Sequence, residues 1–200
     1  MNILHVSASP RGQASESNAL SLKIIECLRQ RHPEAEVIQR SIAANALAPV
    51  DEPYATSQQS LVDVSSEGSM AQSERLVQEL ELADVVVIAT PMHNYSVPAA
   101  LKLWLDHIAR VRRTFDISAQ GKIGLLQDRP VFVAIASGGR FSGERAHQPD
   151  FLTPYLKTIL GMIGLHDVTF FTVEGTASRP EALAQTRRQT DQALHDYFAT

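Results

Sequence analysis

The chain has 200 residues, of which 44% are hydrophobic and 20% charged, with a formal net charge of −4 and one cysteine. A domain of that length buries roughly 70% of the surface its unfolded chain exposes, so its core needs no staples. The acidic balance argues against nucleic acid as the main partner, and a single cysteine excludes an internal disulfide framework or a cysteine-based zinc cluster and points to a reducing compartment.

Asn2 to Val6 reads as a short apolar strand running into the loop SASPRGQASESN. The opening residues carry neither a basic leader nor an apolar stretch long enough for a signal peptide. No run approaches the ~20 apolar residues of a spanning helix. The expectation is a cytoplasmic chain folded as a single domain over residues 1–200, with no membrane partner. Ser15 or Ser17 can cap the next helix, whose apolar face carries Leu20, Ile24, Cys27 and Leu28 and which ends near His32-Pro33. The serines and the free N–H groups of a helix start suit an anion such as a phosphate monoester; ordinary capping by serines is the plain alternative. The loop has neither G-x-G-x-x-G nor a Walker pattern.

Val37 to Ile42 is a second predicted strand, followed by a long connector from Ala43 to about Met70, in which Leu61, Val62 and Val64 suggest a short packed segment. A helix over 71–81 leads to Val85–Ala89, a β-branched run without alternation that suits a strand buried on both faces. Pro91 stops that strand, Met92-His93-Asn94-Tyr95 forms a polar bend, and Pro98 opens a helix with Leu101, Trp104, Leu105 and Ile108 on one face. Trp104 is read as core, and Arg110, Arg112 and Arg113 as a solvated rim. Residues 110–130 read as a hairpin or excursion with turn chemistry at Gly121 and Gly124.

Pro130 to Ala136 is the next buried strand, ending in Ser137-Gly138-Gly139-Arg140, where adjacent glycines let a backbone turn closely against a flat ligand. A helix with Leu152, Tyr155, Leu156, Ile159, Leu160 and Ile163 ends at Gly164, a strand covers 168–173, and an amphipathic helix covers 180–198. Five strands alternating with helices imply an α/β fold: a doubly wound parallel sheet of flavodoxin-like order 2-1-3-4-5, with helices on both faces. That order brings the serine loop, the MHNY bend and the SGGR bend to one crevice. The implied ligand carries a phosphate at one end and a planar polar group at the other, which fits FMN. ATP fits less well, because the loop has no lysine to hold a triphosphate.

The sequence resembles the FMN-dependent NADH azoreductase and quinone reductase family in the loop from Ser9 to Asn18, in PMHNYSVPAALK, Thr114-Phe115, Gly124-Leu125 and the SGG turn, and from Leu152 to Gly175. The resemblance implies a flavodoxin-like homodimer with active sites at the subunit interface, reducing quinones and azo compounds with NADH, or NADPH, as donor. It assigns Ser9, Ser15, Glu16 and Ser17 to the FMN phosphate, Met92, His93, Asn94 and Tyr95 to the flavin ring, and Ser137, Gly138, Gly139 and Arg140 to its pyrimidine side. It also suggests that Phe115 and the long connector cover the partner's flavin. The chain departs from the family at His93, where many members carry tyrosine or tryptophan, at Arg113, and in reading S-G-G-R for S-R-G-G.

The expected mechanism is ping-pong, with hydride passing from nicotinamide to the flavin and then two electrons to the acceptor. The cofactor does the chemistry, so no protein group is named as catalytic. His93 either stacks on the ring or donates a proton. No metal is expected, since His5, His107, His147, His166 and His195 show no ligand pairing. The rival functions are an NAD(P)H-dependent flavin reductase and a flavodoxin-like electron carrier, whose usual threonine-rich phosphate loop is absent.

Overall fold

Four largely apolar runs and the more polar edge segment Glu36–Ser41 become the strands of one parallel sheet. The computed structural model describes residues 1–42, 46–59 and 68–199, so the segment expected around Leu61, Val62 and Val64 lies outside the described residues. In chain order the elements are β1 (Asn2–Ser7), α1 (Glu16–Arg31), β2 (Glu36–Ser41), α2 (Glu52–Gln59), α3 (Gly68–Leu82), β3 (Val85–Pro91) and α4 (Ala99–Ile108). Then follow β4 (Phe115–Ser118), β5 (Gly121–Gly124), β6 (Val131–Ser137), α5 (Thr153–Met162), β7 (Val168–Glu174) and α6 (Pro180–Ala199).

The sheet order is β2-β1-β3-β6-β7, and every pairing in it is parallel. Counted within this sheet alone, the strands stand second, first, third, fourth, fifth, because β4 and β5 form a separate antiparallel hairpin. Successive residues of a strand point to opposite faces. Leu4, Val6, Val86, Ile88, Val133 and Ile135 therefore join α3, α4 and α5 in one buried cluster. Ile3, Val85, Val87, Phe132 and Ala134 join α1 and α6 in another. With both faces covered, Val85–Ala89 has no reason to alternate. Trp104 is fully buried on α4, as its helical spacing implies.

Several local readings change. The connector holds a helix, α2, whose first turn carries Glu52 and Pro53 after Asp51, and the Asp51 carboxylate accepts from the Tyr54 N–H at 3.0 Å. Tyr54 docks that helix by donating its hydroxyl to the Asp106 carbonyl at 2.6 Å. Arg110 is no rim residue: it is buried, with its guanidinium 2.8 Å from Glu74, and Arg113 pairs with Glu74 and Glu81. Phe115 packs in the core of its own chain.

Gly124 does not turn the hairpin. A Cβ there would lie 2.2 Å from the Gly164 backbone nitrogen, so the glycine is a point of backbone contact between β5 and the end of α5. Gly164 itself, at φ 104°, closes α5 in a Schellman arrangement, with Leu165 N–H on Leu160 C=O at 3.0 Å and Gly164 N–H on Gly161 C=O at 3.1 Å.

Candidate functional site

Parallel register brings the carboxyl ends of three neighbouring strands to one edge of the sheet in a stepped order, β1 ending first and β6 last. Ser7 of β1 stands beside Ala89 of β3, and Pro91 of β3 beside Ala136 of β6. The ladder runs one step further at each junction, with Ala8 N–H on Ala89 C=O at 2.9 Å and Met92 N–H on Ala136 C=O at 2.8 Å. The chain leaves β1 toward β2 on one side, while β3 lies on the other. This is the switch point at which open α/β sheets bind ligands.

From β1 the chain enters a single 3-10 turn at Gly12–Ala14 and then α1. Ser15 is the N-cap: its Oγ accepts from Asn18 N–H at 3.2 Å. Its hydroxyl also stands 3.4 Å from that of Ser17. Ser9, Ser15 and Ser17 are all buried. The N–H groups of Glu16 and Ser17 precede the first intrahelical hydrogen bond, so the helix gives them no acceptor. Capping and anion binding are thus compatible, because the cap uses Ser15 and leaves these donors. Glu16 is turned aside: its carboxylate is engaged by Arg187 of α6, with Nε 3.0 Å from Oε2. His5 fixes α1 to β1 through Ser21, at 2.8 Å. Burial pushes its imidazole below the usual range, against a raising contribution from the Gln39 bond.

At the end of β3, His93 and Ser96 exchange backbone hydrogen bonds at 2.9 and 3.0 Å around Asn94 and Tyr95, which have φ values of 48° and 69°. Positive φ at both central residues is the signature of a type I′ turn. Asparagine tolerates it, whereas a tyrosine held there costs on the order of 1–3 kcal/mol, a strain that clusters at functional sites. The turn projects His93, Asn94 and Tyr95 outward, and all three are exposed. Met92 instead packs inward and is buried.

The end of β6 meets Met92 through a residue that sequence reasoning missed. Gln148 donates from Nε2 to Ser137 Oγ at 3.0 Å and to Met92 Sδ at 3.2 Å. Its carboxamide lies over Gly139, where a Cβ would stand 2.4 Å from Oε1. Nothing in a polar loop of mixed composition singles out this glutamine. Glu174, also missed, is a buried carboxylate accepting from Phe141 N–H at 2.8 Å, Ser142 N–H at 3.2 Å and Ser142 Oγ at 2.5 Å, which pins the chain after the SGGR bend. An acidic residue closing the apolar run VTFFTV was its available signal.

The structure therefore brings together Met92, Ser137 and Gly139, with Gly138 on the exposed side of the same bend. It does not bring Arg140 to them. That guanidinium donates to Thr186 Oγ1 on α6 at 3.3 Å and lines a polar cleft of about 290 Å³ with Glu174, Gln189 and Thr190. Chemically, the crevice offers hydroxyl and N–H donors at one end and a glycine corner with a sulfur and an exposed aromatic ring at the other.

A family profile described as flavodoxin-like fold matches residues 1–198. The chain is 46% identical over 193 residues to FMN-dependent NADH:quinone oxidoreductase 4 of Pseudomonas fluorescens, covering 96% of this chain and 93% of that one. It is 44% identical over 194 residues to FMN-dependent NADH:quinone oxidoreductase 5 of Burkholderia lata, covering 96% and 94%. Among solved structures, an azoreductase from Bacillus anthracis superposes with a TM-score of 0.85 at 20% identity, over 99% of this chain and 98% of that one, a likeness of fold.

Proposed function

The chain belongs to the flavodoxin-like family, among the FMN-dependent NADH:quinone oxidoreductases, and from that premise we propose that it binds FMN and uses NADH to reduce quinones and azo compounds by two electrons. The observation that carries this reading is the convergence of a buried serine loop at a helix start, the Met92–Tyr95 turn and the Ser137–Gly139 corner on the carboxyl ends of the neighbouring strands β1, β3 and β6.

The residues present fit FMN. Buried hydroxyls on Ser9, Ser15 and Ser17, with the N–H groups of Glu16 and Ser17, form a donor set for a phosphate monoester. The corner at Ser137–Gly139, closed on one side by the Gln148 carboxamide, offers polar groups to one edge of a flat ring, and Tyr95 and Met92 give that ring apolar cover. When bound, FMN supplies the ring that accepts hydride and passes on electrons. In this reading Ser15 and Ser17 bind and orient the phosphate, Ser137, Gly138 and Gly139 offer polar contacts to the pyrimidine side, and Met92, His93, Asn94 and Tyr95 seat the ring. Arg140 is assigned no direct contact, since its guanidinium turns to Thr186. His93 is exposed on the turn, which supports stacking against a ligand over a fixed acid.

The same proposal includes a doubly wound arrangement in one domain over residues 1–200, supported by the buried clusters on the two faces of the sheet. It also includes a homodimer with the active sites at its interface, supported by the exposed side chains of Ile117, Ile123 and Leu125 on or beside the β4–β5 hairpin and Phe151 next to Tyr95. A reducing cytoplasm, where NADH is supplied, suits the single cysteine. A ping-pong order, with oxidised nicotinamide leaving before the acceptor enters, completes the reading.

The test is steady-state oxidation of NADH and NADPH by the flavin-loaded chain with a quinone, an azo dye and free FMN as acceptors. Turnover with the quinone and the dye, and parallel double-reciprocal lines, are expected. Preference for free FMN would make it a flavin reductase, and no turnover with any acceptor would leave an electron carrier.

A further inference from the structure

Resting on the FMN reading above, the arrangement around Glu16 shows how the anion end of the site is kept open. Glu16 is the first residue of α1, between the two serines assigned to the phosphate. A carboxylate at that position is drawn to the partial positive charge and unpaired N–H groups of its own helix start. Those are the groups a phosphate needs. A free Glu16 would compete for them and add a negative charge beside a ligand that carries about −1.5 to −2.

The fold removes that carboxylate. Arg187, from the middle of α6, donates to it through both Nε, at 3.0 Å from Oε2, and Nη2, to Oε1. This is the two-point fork that guanidinium and carboxylate form best. One turn further along α6, Asp191 is the other carboxylate near Arg187, and it is held by Lys23 of α1. The two pairs line a cleft of about 240 Å³ between the helices, together with Ala19, Leu20 and Val173.

We propose that Arg187 is a positioning residue for the cofactor: it holds the Glu16 carboxylate against α6 and off the start of α1, so that the phosphate of FMN meets uncontested donors. Arg187 acts through Glu16 and touches no reacting atom.

The experiment compares the full chain with Arg187→Gln, Glu16→Gln and the double variant. Release of FMN from the flavin-loaded protein and rebinding of FMN and of riboflavin are followed by flavin fluorescence at low and high salt. Arg187→Gln should bind FMN roughly two- to fivefold more weakly, the range of a partly exposed ion pair. It should leave riboflavin unchanged, because riboflavin has no phosphate. The loss should shrink at high salt. It should vanish in the Glu16→Gln background, where no carboxylate is left to stray.

Unchanged FMN binding in Arg187→Gln would overturn the proposal, as would an equal loss for riboflavin. A loss that persists in the double variant would also overturn it, since Arg187 would then be attracting the phosphate directly. A parent chain that retains no FMN would sink the FMN reading itself, and this inference with it.

Discussion

Ser17 is fully buried, and its hydroxyl has one hydrogen-bond partner among the described residues, Ser15 Oγ at 3.4 Å. That long contact contributes little to folding, so removing the hydroxyl separates binding from stability. Ser17→Ala should leave the thermal midpoint close to that of the parent and weaken FMN retention by about 0.5–1.5 kcal/mol, the worth of one hydrogen bond. A fluorescence titration with unchanged affinity would remove Ser17 from the phosphate site. His93 invites the opposite expectation. With its side chain out on the turn, His93→Phe should retain most of the turnover with quinone, and a collapse with an altered pH profile would assign it a proton. At this scale, the serines were legible because N-cap chemistry writes itself in residue type. Gln148 was not, because its role depends on where a loop of no fixed pattern crosses the strand ends. The course of the Arg140 side chain is illegible for a related reason: adjacency to Gly139 in sequence says nothing about the direction of a long side chain, which here follows Thr186.

Among the elements, α2 shows how a helix can hide. Its eight residues bury Tyr54 and Ser57 and little else, so hydrophobic periodicity is faint. The signal that was present is Asp51 followed by Glu52 and Pro53, a cap with proline in the first turn. The Asp51 carboxylate also accepts from Ser69 Oγ at 2.5 Å, which ties the starts of α2 and α3 together and, with the Tyr54 N–H bond, holds its pKa below the ordinary range. A depressed carboxyl pKa contributes stability above its unfolded value, near about 4, that is lost as pH falls through the folded value. Limited proteolysis should therefore find α2 loosening on acidification below about pH 4, and Asp51→Ala should give that cleavage already at neutral pH. Resistance of the variant at neutral pH would show that Tyr54 docks α2 unaided. The hairpin depends on a different constraint. Gly124→Ala would push a Cβ to 2.2 Å from backbone, where no rotamer can relieve it. It should cost about 1–3 kcal/mol. A melting curve superimposable on the parent's would mean the backbone gives way.

For the molecule as a whole, the sheet was legible because a parallel strand covered on both faces reads as an unbroken apolar run, and the chain has such runs at Val85–Ala89 and Val131–Ile135. Strand order followed from connection rules. The pairing of distant surfaces was not legible, since it links side chains far apart in sequence. Assembly belongs to this scale as well. Ile117 is 68% exposed and Ile123 52%, on a hairpin that leaves them uncovered among the described residues. Ile123→Lys should shift the proposed dimer toward monomer in light scattering at micromolar concentration, with NADH turnover falling in step. A dimer unaffected by the charge would move the interface to another face.

The bond between Arg187 and Glu16 spans 171 positions of the chain. During synthesis the serine loop and α1 are made first, yet the contact that turns Glu16 aside waits until α6 has been made and has docked. On the proposal above, the start of α1 is cleared of its own carboxylate only when α6 docks, so a chain still lacking α6 offers its phosphate donors contested.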